Sequence, residues 1–98
     1  MGILIYNNAG FGKFAFFIDF DENDFDSIFN INVKAPFLLN QLVLPSMIEK
    51  KSGTIINILS VVVQKPYNFS SLYAASKSSL LSMDRILREE VRKDGVKI

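Results

Sequence analysis

Two short runs of consecutive apolar residues, Ile3 to Tyr6 and Thr54 to Leu59, stand apart from a chain whose other apolar positions recur at helical spacing. Neither run alternates with polar residues, so each reads as a strand covered on both faces rather than on one. Strands of that kind belong to parallel sheets. The first run ends in Asn7-Asn8-Ala9-Gly10, a turn composition, and the second is entered through Ser52-Gly53.

Between the runs, Asp19-Phe20-Asp21-Glu22-Asn23-Asp24 supplies the acidic first turn of a long helix extending to about Lys51. Its apolar residues Phe25, Ile28, Phe29, Val33, Phe37, Leu38, Leu42 and Met47 keep close to a helical period. A crossover helix is the expected link between parallel strands. Ser70 or Ser71 can cap a second helix, with Leu80, Leu81, Met83, Asp84, Leu87 and Val91 on one face, ending near Lys93-Asp94 with Gly95 as its stop. Val96-Lys97-Ile98 opens a third strand. The predicted order is strand, helix, strand, helix, strand stub: an α/β domain spanning residues 1–98, without repeats or linkers.

Composition narrows the chemistry. The 98 residues make one small domain, which buries roughly 65% of the surface its unfolded chain exposes. An apolar content of 49% with a mean hydropathy of +0.23 is high for so small a chain, so part of its surface is expected to be covered by something else. A net charge of +1 offers no field for nucleic acid or an anionic membrane, and neither partner is expected. With no Cys and no His, disulfides, thiol chemistry, most zinc sites and His relays are excluded. Met1-Gly2 opens like an acylation signal, but Tyr6 stands where Ser or Thr is needed, and the first apolar run is too short for a leader or a span. A soluble, cytoplasmic protein is the expectation.

Tyr73 and Lys77 are the most informative pair. At i and i+4 on a helix they share one face about 6 Å apart along the axis, and an ammonium beside a phenol favours the phenolate. Taken alone, such a pair more often marks only a shared helix surface. Asn8 with Ala9 and Gly10 follows the first strand, and Asn57 and Ser60 end the second, where open α/β sheets take their ligands. If the long helix runs through Pro36, the carbonyl of Asn32 loses its helical partner and the helix kinks, leaving a group able to hold water. Pro45 does the same to Gln41, without evident chemistry. Phe11, Phe14, Phe16 and Phe17 either line an apolar mouth or simply pack.

Asn-Asn-Ala-Gly at 7–10, Asn32 in Asn-Val-Lys-Ala-Pro-Phe, Gly53-Thr-Ile-Ile-Asn-Ile-Leu-Ser60 and Tyr73-Ala-Ala-Ser-Lys77 together resemble the short-chain dehydrogenase/reductase family. The thirteen-residue interval from Ser60 to Tyr73 also matches that family's spacing. The resemblance implies part of a Rossmann-type doubly wound parallel sheet and an NAD(P)-dependent oxidoreductase acting on a small carbonyl or alcohol. Tyr73 would then be the general acid/base, and Lys77 would favour its anion and hold the nicotinamide ribose. Ser60 would hydrogen-bond the reacting oxygen, and Asn32 would anchor a water leading to solvent. Asn8, Ala9 and Gly10 would lie along the cofactor, NAD or NADP, with NADP the expected form. The complete form is expected to be a homo-oligomer.

The same resemblance exposes departures. A glycine-rich phosphate turn belongs well upstream of Asn7, where only six residues stand, and the family's last strands and substrate loop belong after Ile98. Val61-Val62-Val63 replaces a smaller pair common in the family. The expectation is a catalytic middle segment that is unstable, oligomeric or aggregation-prone alone. The competing expectation is a truncated, non-catalytic chain that docks onto an intact subunit through its two long helices.

Overall fold

Strands β1 (Leu4–Asn7) and β2 (Gly53–Asn57) pair in parallel, Leu4 opposite Thr54 through Asn7 opposite Asn57, in a computed structural model that describes residues 4–7, 12–57 and 69–98. β3 (Val96–Lys97) adds to the other edge of β2, also in parallel, with Gly53 opposite Val96. The sheet order is β1-β2-β3, so each consecutive pair of strands is joined by a helical crossover.

From Glu22 to Lys50 the first crossover is continuously helical, as its periodicity predicts, but it is not one uniform helix. Helix α1 (Glu22–Phe29) begins at Asp21, whose carboxylate accepts from the Asp24 N–H at 2.8 Å while Asp24 accepts from the Asp21 N–H at 3.0 Å. This reciprocal capping satisfies two first-turn donors and places the start two residues beyond Asp19. A π turn (Asn30–Lys34) follows, in which the Ala35 N–H reaches back five residues to the Asn30 carbonyl. Helix α2 (Ala35–Lys50) then runs through Pro45. The expected disturbance at Pro36 therefore takes the form of one widened turn. Proline lacks an N–H and its ring crowds the carbonyl four residues back, and opening the helix by one residue just upstream accommodates both.

α2 stops at Lys51, which adopts φ 54°, with Lys51 N–H bonded to the Ile48 carbonyl and Ser52 N–H to the Met47 carbonyl, each at 3.1 Å. These two bonds close the helix end and turn the chain into β2. Gly53 then passes directly over Met47: a Cβ there would lie 2.5 Å from Met47 Cγ. Helix α3 (Ser71–Val91) starts after Ser70, which holds the cap position without a side-chain bond to the first turn. A 3-10 turn (Arg92–Asp94) and Gly95 at φ 72° end it where the sequence places the stop. The apolar core gathers Met47 from α2, Ile55 from β2, Val91 from α3 and Val96 from β3. Each such side chain contributes about 1.5–3 kcal/mol on full burial.

Gly95 tests how the second crossover closes. Its φ favours glycine, and a Cβ would stand 2.8 Å from the backbone carbonyl oxygen of Lys51, which cannot swing aside as a side chain could. Gly95→Ala is expected to lower stability by more than ~1 kcal/mol, read as a reduced urea midpoint at unchanged slope. A midpoint equal to that of the parent chain would show that this contact does not constrain the fold.

Candidate active site

Tyr73, Ser76 and Lys77 occupy the first two turns of α3, and Asn32 faces them from the π turn. The helical spacing anticipated for Tyr73 and Lys77 is realised, and Lys77 Nζ lies 5.8 Å from the centre of the Tyr73 ring. That separation is within cation–π range. Tyr73 is half-buried, whereas Lys77 is only 4% exposed. Burial removes water from the ammonium and pushes the Lys77 pKa below the ordinary lysine value.

Asn32 is fully buried, and its Nδ2 donates to Ser76 Oγ at 3.0 Å. Ser76 Oγ in turn donates to the Tyr73 carbonyl at 2.7 Å. The sequence pointed to Asn32 through its backbone carbonyl and its amide side chain, and the structure engages that amide with Ser76. Ser76 received no role from the sequence, although its position three residues after Tyr73 puts it on the same helix face.

The segment leading into α1 also reaches the site. An ideal Cβ on Gly12 would sit 3.0 Å from Tyr73 Cδ1, so the backbone at Gly12 lies against the phenol ring. The Phe14 ring stands 6.0 Å from the Tyr73 ring at 51°. Ala15 N–H donates to the Phe69 carbonyl at 2.9 Å, and Phe16 meets the Phe69 ring edge-on at 4.7 Å. Lys13 bonds both carboxylate oxygens of Asp24, at 2.9 and 3.0 Å, anchoring the segment to the start of α1. The Asp24 carboxyl is held below its usual range first by the Asp21 N–H and then by Lys13, while its hydrogen bond raises Lys13.

Of the other residues singled out from the sequence, Asn8, Ala9, Gly10, Phe11 and Ser60 lie outside the described residues, as do Val61, Val62 and Val63. The strand ends that lead to them, Asn7 and Asn57, are brought side by side by the parallel register. Phe14, Phe16 and Phe17 are exposed rather than packed into the core. Among the described residues no cluster of acidic side chains could hold a metal ion, and no helix is long and apolar enough to cross a membrane.

The burial of Lys77 has a signed consequence. Because its folded pKa is depressed, the unfolded chain binds the extra proton between that pKa and the ordinary lysine value, and stability rises with pH through this window. Lys77→Met, which removes the charge but keeps the length, is expected to be most stabilising relative to the parent at neutral pH. The difference should narrow as pH climbs toward the ordinary lysine range, measured by urea denaturation at several pH values. A difference that stays constant would contradict a desolvated ammonium at this position.

The family model described as short chain dehydrogenase matches residues 2–98. A ketoacyl reductase, HetN, of Nostoc sp. is 39% identical over 95 residues, which cover 97% of this chain and 33% of that protein. The 3-oxoacyl-[acyl-carrier-protein] reductase FabG of Thermotoga maritima is 32% identical over 95 residues, covering 97% of this chain and 39% of the relative. Among solved structures, a short-chain dehydrogenase from Streptomyces avermitilis superposes with a TM-score of 0.93 at 32% identity, over 97% of this chain and 36% of its own. The chain thus spans about a third of the length of the curated relatives it matches, and its α/β architecture is part of their Rossmann fold. With a match running from the second residue to the last, and the expected parallel βαβ order in place, the chain belongs to the short-chain dehydrogenase family.

Proposed function

We propose that this chain carries the catalytic segment of an NAD(P)-dependent oxidoreductase that interconverts a small carbonyl compound and its alcohol. The observation that carries this reading is the buried Lys77 ammonium beside the Tyr73 ring, with Asn32 tied to the same helix face. A buried amine one turn from a half-buried phenol is costly to keep and chemically useful. The ketoacyl reductase names of the Nostoc and Thermotoga relatives support a carbonyl substrate.

The donor set fits a nicotinamide ribose. Lys77 and Tyr73 present N–H and O–H donors from one helix face, and β1 and β2 end side by side, at the edge where open parallel sheets take ligands. Lys77 would hold the ribose hydroxyls, with Asn8, Ala9 and Gly10 along the cofactor; NADP is the form to test first. When bound, the nicotinamide supplies or accepts a hydride. In the reductive direction the Tyr73 hydroxyl gives its proton to the carbonyl oxygen, which Ser60 holds by a hydrogen bond, so the product alcohol carries one added hydrogen on oxygen and one on carbon. Lys77 favours the charge left on the Tyr73 oxygen, and a water held at Asn32 returns the proton from solvent. Positioned proton transfer of this kind contributes roughly 10²–10⁴-fold in rate.

A groove between α2 and α3 supports a second element of the reading, pairing of subunits. It has a volume of about 340 Å³ and is lined by Phe37, Leu44, Met83, Ile86 and Leu87 around Asn40. Asn40 Oδ1 is buried there without a hydrogen-bond partner among the described residues. A second copy, or an intact relative, docking on these helices would cover the apolar side chains. This also accommodates the alternative role of a non-catalytic docking chain.

Three measurements test these readings. Fluorescence titration of the full chain with NADPH and NADH is expected to show saturable binding that Lys77→Ala abolishes and Tyr73→Phe retains. Tyr73→Phe should lower turnover of a ketone by roughly 10²–10⁴-fold, and folded chain that binds neither dinucleotide would refute the cofactor site. For pairing, Ile86→Glu in the groove is expected to shift the sedimenting species toward monomer while leaving the circular dichroism unchanged. A monomeric parent chain would rule out pairing of identical copies through this face.

A further inference from the structure

The Phe14 ring stands 6.0 Å from that of Tyr73, tilted by 51°, within the range of an aromatic pair, yet Phe14 is 62% exposed. The backbone two residues earlier presses on the same phenol, since a Cβ at Gly12 would meet Tyr73 Cδ1 at 3.0 Å. Phe14 is thus held beside the reacting residue with most of its surface uncovered. A ring kept only for packing would be covered, because apolar contact stabilises by removing surface from water.

Two residues on, Phe16 meets Phe69 edge-on at 4.7 Å, and both of these rings are exposed as well. Phe69 adopts φ 70°, a left-handed conformation that a bulky residue rarely takes and that persists only where its surroundings hold it. The Ala15 N–H bonded to its carbonyl and the Phe16 ring do the holding. Backbone strain of this kind clusters at ligand sites. The chemistry of the segment is uniform too. Residues 12–18 read Gly-Lys-Phe-Ala-Phe-Phe-Ile, and the one polar side chain among them, Lys13, is engaged by both oxygens of Asp24. Such a segment offers little to the hydroxyls of a sugar-like substrate, whereas an alkyl or aryl group would shed water against its rings.

We propose that Phe14 is a specificity-determining residue: it forms an apolar wall beside Tyr73 that receives the carbon body of the substrate, so that the site takes ketones and alcohols bearing an alkyl or aryl group in preference to polyhydroxylated ones. The proposal rests on the reading of Tyr73 as the group that exchanges a proton with the substrate oxygen, but its test reads binding and needs neither dinucleotide nor turnover. Failure to bind a dinucleotide would defeat the cofactor site and leave the wall standing; the reverse holds for failure of the test below.

The experiment is an NMR titration of the full chain carrying ring-¹³C phenylalanine, with methyl hexyl ketone and, separately, with dihydroxyacetone. Ring signals are assigned by their loss in Phe14→Leu, Phe25→Leu and Phe37→Leu. The ketone is expected to shift the Phe14 signal saturably. Those of Phe25, stacked on Phe29, and of Phe37, in the groove between α2 and α3, should stay in place. Dihydroxyacetone should bind at Phe14 about tenfold or more weakly. Read from the ketone's own proton signals, Phe14→Ala should weaken its binding about fivefold, and Phe14→Leu, which keeps an apolar side chain, by less. The absence of a saturable shift at Phe14, a shift at Phe25 or Phe37 as large as that at Phe14, equal affinity for the two compounds, or unchanged affinity in Phe14→Ala overturns the proposal. Should Phe14→Ala not fold, the parent titration decides by the first three of these outcomes.

Discussion

The parallel pairing of β1 with β2 is the constraint on which the rest of this structure depends. Parallel neighbours cannot be joined by a tight hairpin, so the chain must return over a sheet face through a helical crossover before each new strand. Three features at the starting edge of the sheet make that return exact in register. Lys51 closes α2 in the left-handed conformation, Gly53 leaves room for Met47, and Gly95 lets the chain pass the Lys51 carbonyl. With the starts set there, Asn7 and Asn57 arrive together at the opposite edge. The crossovers then deliver Asn32 and Ser76 to each other, a contact that local sequence could not create.

Buried residues divide by chemistry along α3. Its C-terminal half contributes Val91 and Leu87 to the apolar core with Met47, Ile55 and Val96, whereas its start and second turn bury Ser70, Ser76 and Lys77. Asp84 is the buried acid between these regions. Burial of the first kind is favourable in itself; burial of the second is tolerated only where hydrogen bonds replace water. The Asn32–Ser76–Tyr73 chain of bonds is such a replacement. The apolar half of the helix therefore supplies the stability that lets its polar half hold a desolvated amine.

Much of this was legible from residue order. Unbroken apolar runs identified both main strands and their parallel pairing, and helical spacing put Tyr73 and Lys77 on one face. The π turn was not legible, because a period of 3.6 residues over a long segment averages through a single inserted residue; only Pro36 marked where the ladder would be disturbed. Ser76 was hidden for another reason. A serine on a helix carries no signal of burial, and its partner is 44 residues away. Gly12 was equally silent, since its contact with the Tyr73 ring follows from the path of the chain after β1. The roles expected of Ser60, Asn8, Ala9 and Gly10 rest on the family resemblance, those positions lying outside the described residues.

The high apolar content has its own explanation in the fold. Phe14, Phe16, Phe17 and Ile18 are between 62% and 88% exposed, and Leu42 and Ile86 are 77% and 64% exposed on α2 and α3. The first group is not loosely attached. Its segment is held by the Lys13–Asp24 ion pair, the Ala15–Phe69 backbone bond and the Phe16–Phe69 ring contact. A surface ion pair contributes only about 0–1 kcal/mol, so the backbone bond and ring contacts carry most of the anchoring. One backbone bond and a few ring contacts thus hold the segment while most of each ring's surface stays exposed, the reverse of core packing. That inversion suits a surface meant to meet something apolar, and Phe14 brings it to the ring of Tyr73.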